Sequence, residues 1–361
     1  MPSLRPRSRT SLLLLVVIAA VVGVAVAAQG AAPPRLPSIT PERLVTNVMS
    51  ALADPPPVSG LVRTHVGLGL PSIPAQAGQP PDAASRLIDA LNGDHRVRVW
   101  RSEHGARLAE LLPTAEIGLF VRRDQTSAQA WAWDSASFTA YRLGPIRTGT
   151  AMPAHPVGLL DPASLAALTL EAIQPTTEVT SGPSTRIAGR DAYLLVLQPK
   201  TTQTLVGRIE LAVDAERWVP LSVAVYARRA ESAALSAAFE SVRFDPIDPA
   251  TYEFTPPAGA RVVASDAEAR HDRLPAPRQH AVDVDGSNAR DPVRLFGSGW
   301  DTVIAIRIDR HADDGDLGIR DMLPLSGPLF SARLADRETF WWVLIGTVPQ
   351  ERLATIERSL P

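Results

Sequence analysis

Catalysis needs a nucleophile with a base beside it, a set of metal ligands, or a loop that cradles phosphate. The 361-residue chain contains seven histidines and no cysteine. His65, His95, His104, His155, His271, His280 and His311 are scattered along it rather than grouped. It has no Gly-x-Ser-x-Gly elbow, no His-Glu-x-x-His pair and no phosphate loop ending in Gly-Lys-Ser/Thr. Asp283, Asp285, Gly286 and Asn288 are spaced like the opening of a calcium loop, but the third early carboxylate and the distal Glu are missing. Asp313, Asp314 and Asp316 read as an acidic turn. These residues point to no catalytic site, no metal site and no cofactor. Without cysteine there is also no disulfide, no thiolate ligand and no lipid-modified N-terminal thioether.

The spacing that does recur is apolar. Val97 and Val99 share one face of a strand, as do Ile117, Leu119 and Val121, and Trp131 and Trp133, because side chains alternate across a strand. Such faces hold apolar matter instead of transforming it. Hydrophobic residues make up 45% of the chain and charged residues 20%, which is ordinary globular usage. A net charge of -2 supplies no field that would gather nucleic acid.

The elements that must position these faces begin after an export signal. Arg5, Arg7 and Arg9 precede an unbroken apolar run, 12–28, with small residues at Ala25, Ala27 and Ala28. As a helix the run spans about 26 Å, close to the bilayer core, so cleavage and retention as a membrane anchor both fit it. Either fate places the body outside the cytoplasm. The segments are then a cytoplasmic stretch 1–11, the apolar run 12–28, a Pro-rich linker 29–40, a main domain 41–262, a second linker 263–290 and a small C-terminal α+β unit 291–361.

Within the main domain Thr40 caps a helix that Pro41 and Glu42 open, with Leu44, Val45, Val48 and Leu52 at helical spacing. Strands are expected over 59–70, 95–102, 107–112, 116–123, 128–134 and 137–143, and a short helix over 83–91 in a long insertion. Asp161 and Pro162 start a second helix running to Ile173. Further strands are expected over 185–188, 192–199, 205–213, 221–228, 234–244 and 252–256. One helix, a set of strands, a helical interruption and a second set of strands describe an α+β fold with a large curved antiparallel sheet. In the tail, 293–308 and 330–348 carry β segments, 349–360 resembles a helix, and the run from Phe340 to Leu344 reads as a buried strand.

Several stretches resemble the LolA-like proteins, related to outer-membrane lipoprotein carriers, in the form found among high-GC Gram-positive bacteria. They are Val58-Ser59-Gly60 leading to Leu68-Gly69-Leu70-Pro71, Val97-Arg98-Val99-Trp100, and Trp131-Ala132-Trp133-Asp134-Ser135. Ile187-Ala188-Gly189-Arg190-Asp191-Ala192-Tyr193, Ala212-Val213-Asp214 with Val219-Pro220-Leu221, Phe254-Thr255-Pro256-Pro257, and Phe296-Gly297-Ser298-Gly299-Trp300 continue the likeness. The resemblance implies an unclosed half-barrel of about eleven antiparallel strands, covered by helices on an apolar concave face that takes up acyl chains. On that basis the expected groove is lined by Val97, Val99, Ile117, Leu119, Val121, Trp131, Trp133, Tyr193, Leu195 and Leu211, with Leu160, Leu165 and Leu168 on the underside of a lid. The implied partners are a lipid or acylated protein and the cytoplasmic membrane. The related RseB-type regulators add an alternative, a sensor that binds a membrane anti-sigma protein. Burying a 16-carbon chain would gain roughly 12 kcal/mol gross, at about 0.8 kcal/mol per CH₂. A sheet covered by two helices is expected to leave a hollow that such a chain could fill.

Overall fold

A computed structural model describes residues 33–69, 92–124, 127–147, 161–171, 176–264, 293–309 and 324–360. The apolar run 12–28, the helix expected over 83–91, and Asp283 to Asn288 with Asp313, Asp314 and Asp316 lie outside them. Among the described residues no helix is long and apolar enough to cross a membrane.

Helix α1 (Pro41–Ala53) starts where Thr40 Oγ1 accepts from the Arg43 N–H at 3.3 Å, leaving Pro41 at the position where its missing N–H does no harm. Six strands follow: β1 (Val58–Gly67), β2 (Asn92–Ser102), β3 (Gly105–Leu111), β4 (Glu116–Arg123), β5 (Ser127–Asp134) and β6 (Thr139–Arg147). Helix α2 (Pro162–Glu171) interrupts them. Then come β7 (Thr177–Ile187), β8 (Arg190–Pro199), β9 (Val206–Asp214), β10 (Pro220–Ala227), β11 (Ala233–Arg243) and β12 (Arg261–Ala264).

These twelve strands form one curved, unclosed sheet in the order β12-β6-β5-β4-β3-β2-β1-β11-β10-β9-β8-β7. Two meanders meet where β1 pairs with β11, and β7 and β12 are the edge strands among the described residues. At that seam Gly60 is obligatory, since a Cβ there would lie 2.0 Å from the Ser241 carbonyl oxygen. The fold is therefore the expected α+β half-barrel with helices on one face.

Four expectations need correction. β2 begins at Asn92, not His95, because 92–94 pair with the end of β1. β7 extends from Thr177, where a strand was expected only over 185–188. Its Thr, Ser, Gly and Pro content suits an edge strand, and a register shift between Gly182 and Thr185 accommodates Pro183. Residues 252–256 form no strand: Pro249–Tyr252 is a 3₁₀ turn capped by Asp248, and the following backbone runs extended outside any ladder. Finally β12 adds a short parallel strand beside β6, inside a stretch that reads as coil.

The C-terminal strands β13 (Val293–Phe296), β14 (Val303–Asp309), β15 (Leu325–Ser326), β16 (Ser331–Asp336) and β17 (Phe340–Gly346) form a second sheet in the order β13-β14-β17-β16-β15. Helix α3 (Gln350–Ser359) packs Leu353 and Ile356 on one of its faces. The described residues from Leu36 onward belong to one compact unit. Trp300 joins the two sheets: it packs into the main cluster, and its Nε1–H donates to Thr177 Oγ1 at 2.7 Å. The Leu205 N–H donates to the Thr347 carbonyl at 2.7 Å close by.

Candidate functional site

The concave face follows from strand parity. On β1, Val62, Thr64 and Val66 point inward while Arg63 and His65 point out. Register carries that parity across the sheet: Val62 lies opposite Val97, Val99 opposite Leu108, Leu108 opposite Leu119, and Leu119 opposite Ala132. In the other direction Val62 lies opposite Phe239, Val223 opposite Leu211, and Leu211 opposite Leu195. Onto this surface α1 lays Leu44 and Val48, and α2 lays Leu165, Ala166 and Leu170, all buried.

Of the expected groove residues, the structure brings Val97, Val99, Leu119, Val121, Leu165, Leu195 and Leu211 into this single cluster. Ile117 and Tyr193 pack against it, Tyr193 stacking on Trp218 with ring centroids 5.9 Å apart. Leu160 and the Leu168 side chain lie outside the described residues. Trp131 and Trp133 do not join. Ala128, Ala130 and Ala132 occupy the inward positions of β5, which turns both indoles to the convex face, where Phe254 caps them at 5.8 Å between ring centroids. Inward residues that the sequence reading passed over include Val62, Leu108, Leu221, Val223 and Phe239. The β1 alternation Val62-Thr64-Val66 carried that signal.

Two charged pairs are set into the apolar face. Asp161, 1% exposed, caps α2 by accepting from the Ala163 N–H at 2.9 Å and receives Arg101 Nη2 at 3.0 Å. The same guanidinium donates to Ser164 Oγ at 3.2 Å, so one residue of β2 holds the first turn of α2. Burial, together with the nearby Arg101 charge, lowers the Arg123 guanidinium below its usual range. His95 Nδ1 lies 2.6 Å from Glu110 Oε1, and its Nε2 lies 3.1 Å from the Asn92 carbonyl. The Glu110 carboxylate raises the imidazole above its ordinary value against the opposing effect of burial.

Among the described residues little of the expected hollow is left open under the helices. Beneath the end of α1 and the start of α2, between Val58, Val99, Ala163 and Phe239, the free volume is about 20 Å³. That is room for about one water molecule. The reason is α2 itself: it is apolar on nearly every side and sinks between α1 and strands β10 and β11. Next to it a wider cleft of about 420 Å³ opens between Pro55, Ser102, His104 and Pro246. No group of three or more His, Asp or Glu side chains among the described residues could hold a metal ion.

A curved, unclosed antiparallel sheet with helices on its apolar face is the arrangement expected from the LolA-like resemblance. No family model matches this sequence, and no curated protein does. Similar solved structures include MucB, at 16% identity and a TM-score of 0.42, covering 86% of this chain and 95% of that one. The Pseudomonas aeruginosa MucA/MucB complex is similar at 14% identity and a TM-score of 0.44, covering 87% of this chain and 95% of that one. A LolA superfamily protein from Nitrosomonas europaea is similar at 9% identity and a TM-score of 0.22, covering 60% of this chain and 99% of that one. Likenesses of this size carry no argument about what the chain binds.

Proposed function

We propose that this chain is a non-catalytic, extracytoplasmic binding protein that receives the acyl chains of a lipid or lipoprotein on its concave face, in the place α2 now occupies. The observation that carries the reading is α2: ten residues, apolar nearly all round, filling an aliphatic sheet and tied to it at its first turn through Arg101 and Asp161. A helix that plugs a hollow can be exchanged for another apolar body, because both bury the same surface. Ligand entry then requires α2 to move, and the empty protein is the closed form.

The test is to purify the full chain from membranes, extract it for mass spectrometry and measure displacement of a fluorescent fatty acid. Co-purified acyl species or saturable displacement, with faster exchange in Arg101→Ala, supports the proposal. Neither bound lipid nor displacement, in wild type and in Arg101→Ala alike, would end it. A sensor that engages an anti-sigma protein is separated by crosslinking in cells: it captures one membrane partner in stoichiometric yield, whereas a carrier does not.

A further inference from the structure

The five-stranded sheet has one face that α3 covers and one that nothing described covers. Val303, Ala305, Trp342 and Leu344 lie beneath α3 and are fully buried. On the opposite face Val293, Leu295, Ile304, Ile306 and Ile345 are 49, 39, 41, 37 and 40% exposed. Register makes them a single patch, with Val293 opposite Ile306, Leu295 opposite Ile304, and Ile304 opposite Ile345. The arginines of these strands are turned away: Arg294 lies over Trp342 and Arg307 over Phe340, both on the helix side. Asp336 stands at the rim, opposite Trp341.

We propose that this face is the interface of a homodimer, in which two copies pack sheet on sheet about a two-fold axis. Three observations select a second copy over other occupants. The centre of the patch is aliphatic, so a charged or polar partner would leave its own groups unpaired, whereas an identical face offers the same surface in return. The five side chains leave roughly 350 Å² in water, the scale of the largest patch a monomer keeps. Two copies with their flanking residues would bury on the order of 1,000 Å², which reaches the size of a specific interface. Among the described residues a bilayer is a poorer fit, because membrane-facing surfaces carry basic residues around their apolar centre, and here the rim carries Asp336 while Arg294 and Arg307 lie on the helix side. Each unit of one helix on one sheet would thereby cover its second face, as layered folds require.

The chain has no cysteine, so a single introduced thiol reports without background. Full-length protein carrying Ile304→Cys is treated in intact cells with a bismaleimide of about 10 Å reach, the spacing of packed sheets. A band of twice the monomer mass is expected, lost when Ile345→Asp is added, and absent for Arg98→Cys on the convex face of the large sheet. Both Ile304 and Ile345 are exposed in the single chain, so neither change should prevent folding. The proposal is overturned if Ile304→Cys reacts fully with a monofunctional maleimide yet gives no dimer, or if the dimer survives Ile345→Asp. A thiol protected in a chain that sediments as a monomer also overturns it, since the face is then covered by something other than a second copy.

Discussion

The two faces of the twelve-stranded sheet are both rich in apolar side chains, and they are shielded from water in opposite ways. The concave face is aliphatic and covered by separate elements, α1 and α2, and the pairs Arg101–Asp161 and His95–Glu110 are set into it. The convex face is covered by its own aromatic and arginine side chains together with Phe254 from the segment after β11. Trp100, Arg107, Phe120, Trp131 and Arg142 form one cross-strand row from β2 to β6, each opposite the next. The Arg107 guanidinium lies 4.9 Å from the ring centroids of both Trp100 and Phe120, and Phe254 lies 4.6 Å from Phe120. Cation–π contacts and stacking hold such a row in place without a helix. A face covered by a helix can be uncovered as a unit, while a face covered by its own side chains cannot, and that difference is why the proposed acyl site is put on the concave side.

The largest effect expected from this comparison is that of Asp161→Ala. It removes the α2 cap and the carboxylate that Arg101 pairs with, a change that typically costs about 3–5 kcal/mol in a buried pair. Hydrogen exchange should show the loss concentrated in α2, with protection of β3, β4 and β5 kept. Uniform loss across the sheet would mean that the concave cover is not a separable element, and the contrast between the faces would fail.

A smaller effect is expected on the other side. Trp131 is half-buried in the convex row, so Trp131→Ala should destabilise by about 2 kcal/mol, less than a fully buried indole. Fatty-acid displacement should be unchanged. Weaker displacement at an unaltered melting temperature would put the indole against the ligand and reverse its assignment.

Local signals in the sequence were sufficient where one element decides its own structure. The Thr40 and Asp161 caps and the span of β4 could be read directly, because capping chemistry and alternation are contained within a few residues. Inward and outward could not be read that way. Gln129-Ala130-Trp131-Ala132-Trp133 alternates equally well in either sense, and only Leu119 opposite Ala132 turns the alanines in. β7 escaped because a polar edge strand buries little, and β12 because its four residues owe their form to β6. The filling of the hollow was hidden for a similar reason: α2 is apolar on nearly all sides, so its sequence shows no lid face distinct from a core face.

The smallest effect distinguishes the faces by pH. His95 and Glu110 are 10% and 4% exposed, and the carboxylate holds the imidazole above its ordinary value of 6.5. The charged imidazole is thus favoured more in the folded chain than in the unfolded one, where no partner stands beside it. Its contribution to stability is complete below 6.5 and is lost as pH rises through the elevated folded value. Asp94 nearby acts in the same direction. Unfolding free energy measured in urea should therefore decline on the alkaline side of the ordinary histidine range, and His95→Gln should flatten that slope while leaving the acid limb in place. On the convex face the row from Trp100 to Arg142 contains no histidine, and the ion-pair partner of Arg107 is the carboxylate of Glu116 at 3.9 Å, so Arg107→Gln should leave the slope on the alkaline side of the histidine range unchanged. If His95→Gln leaves the slope intact, the concave pair does not titrate in this range and the two faces differ in what covers them but not in how they respond to protons.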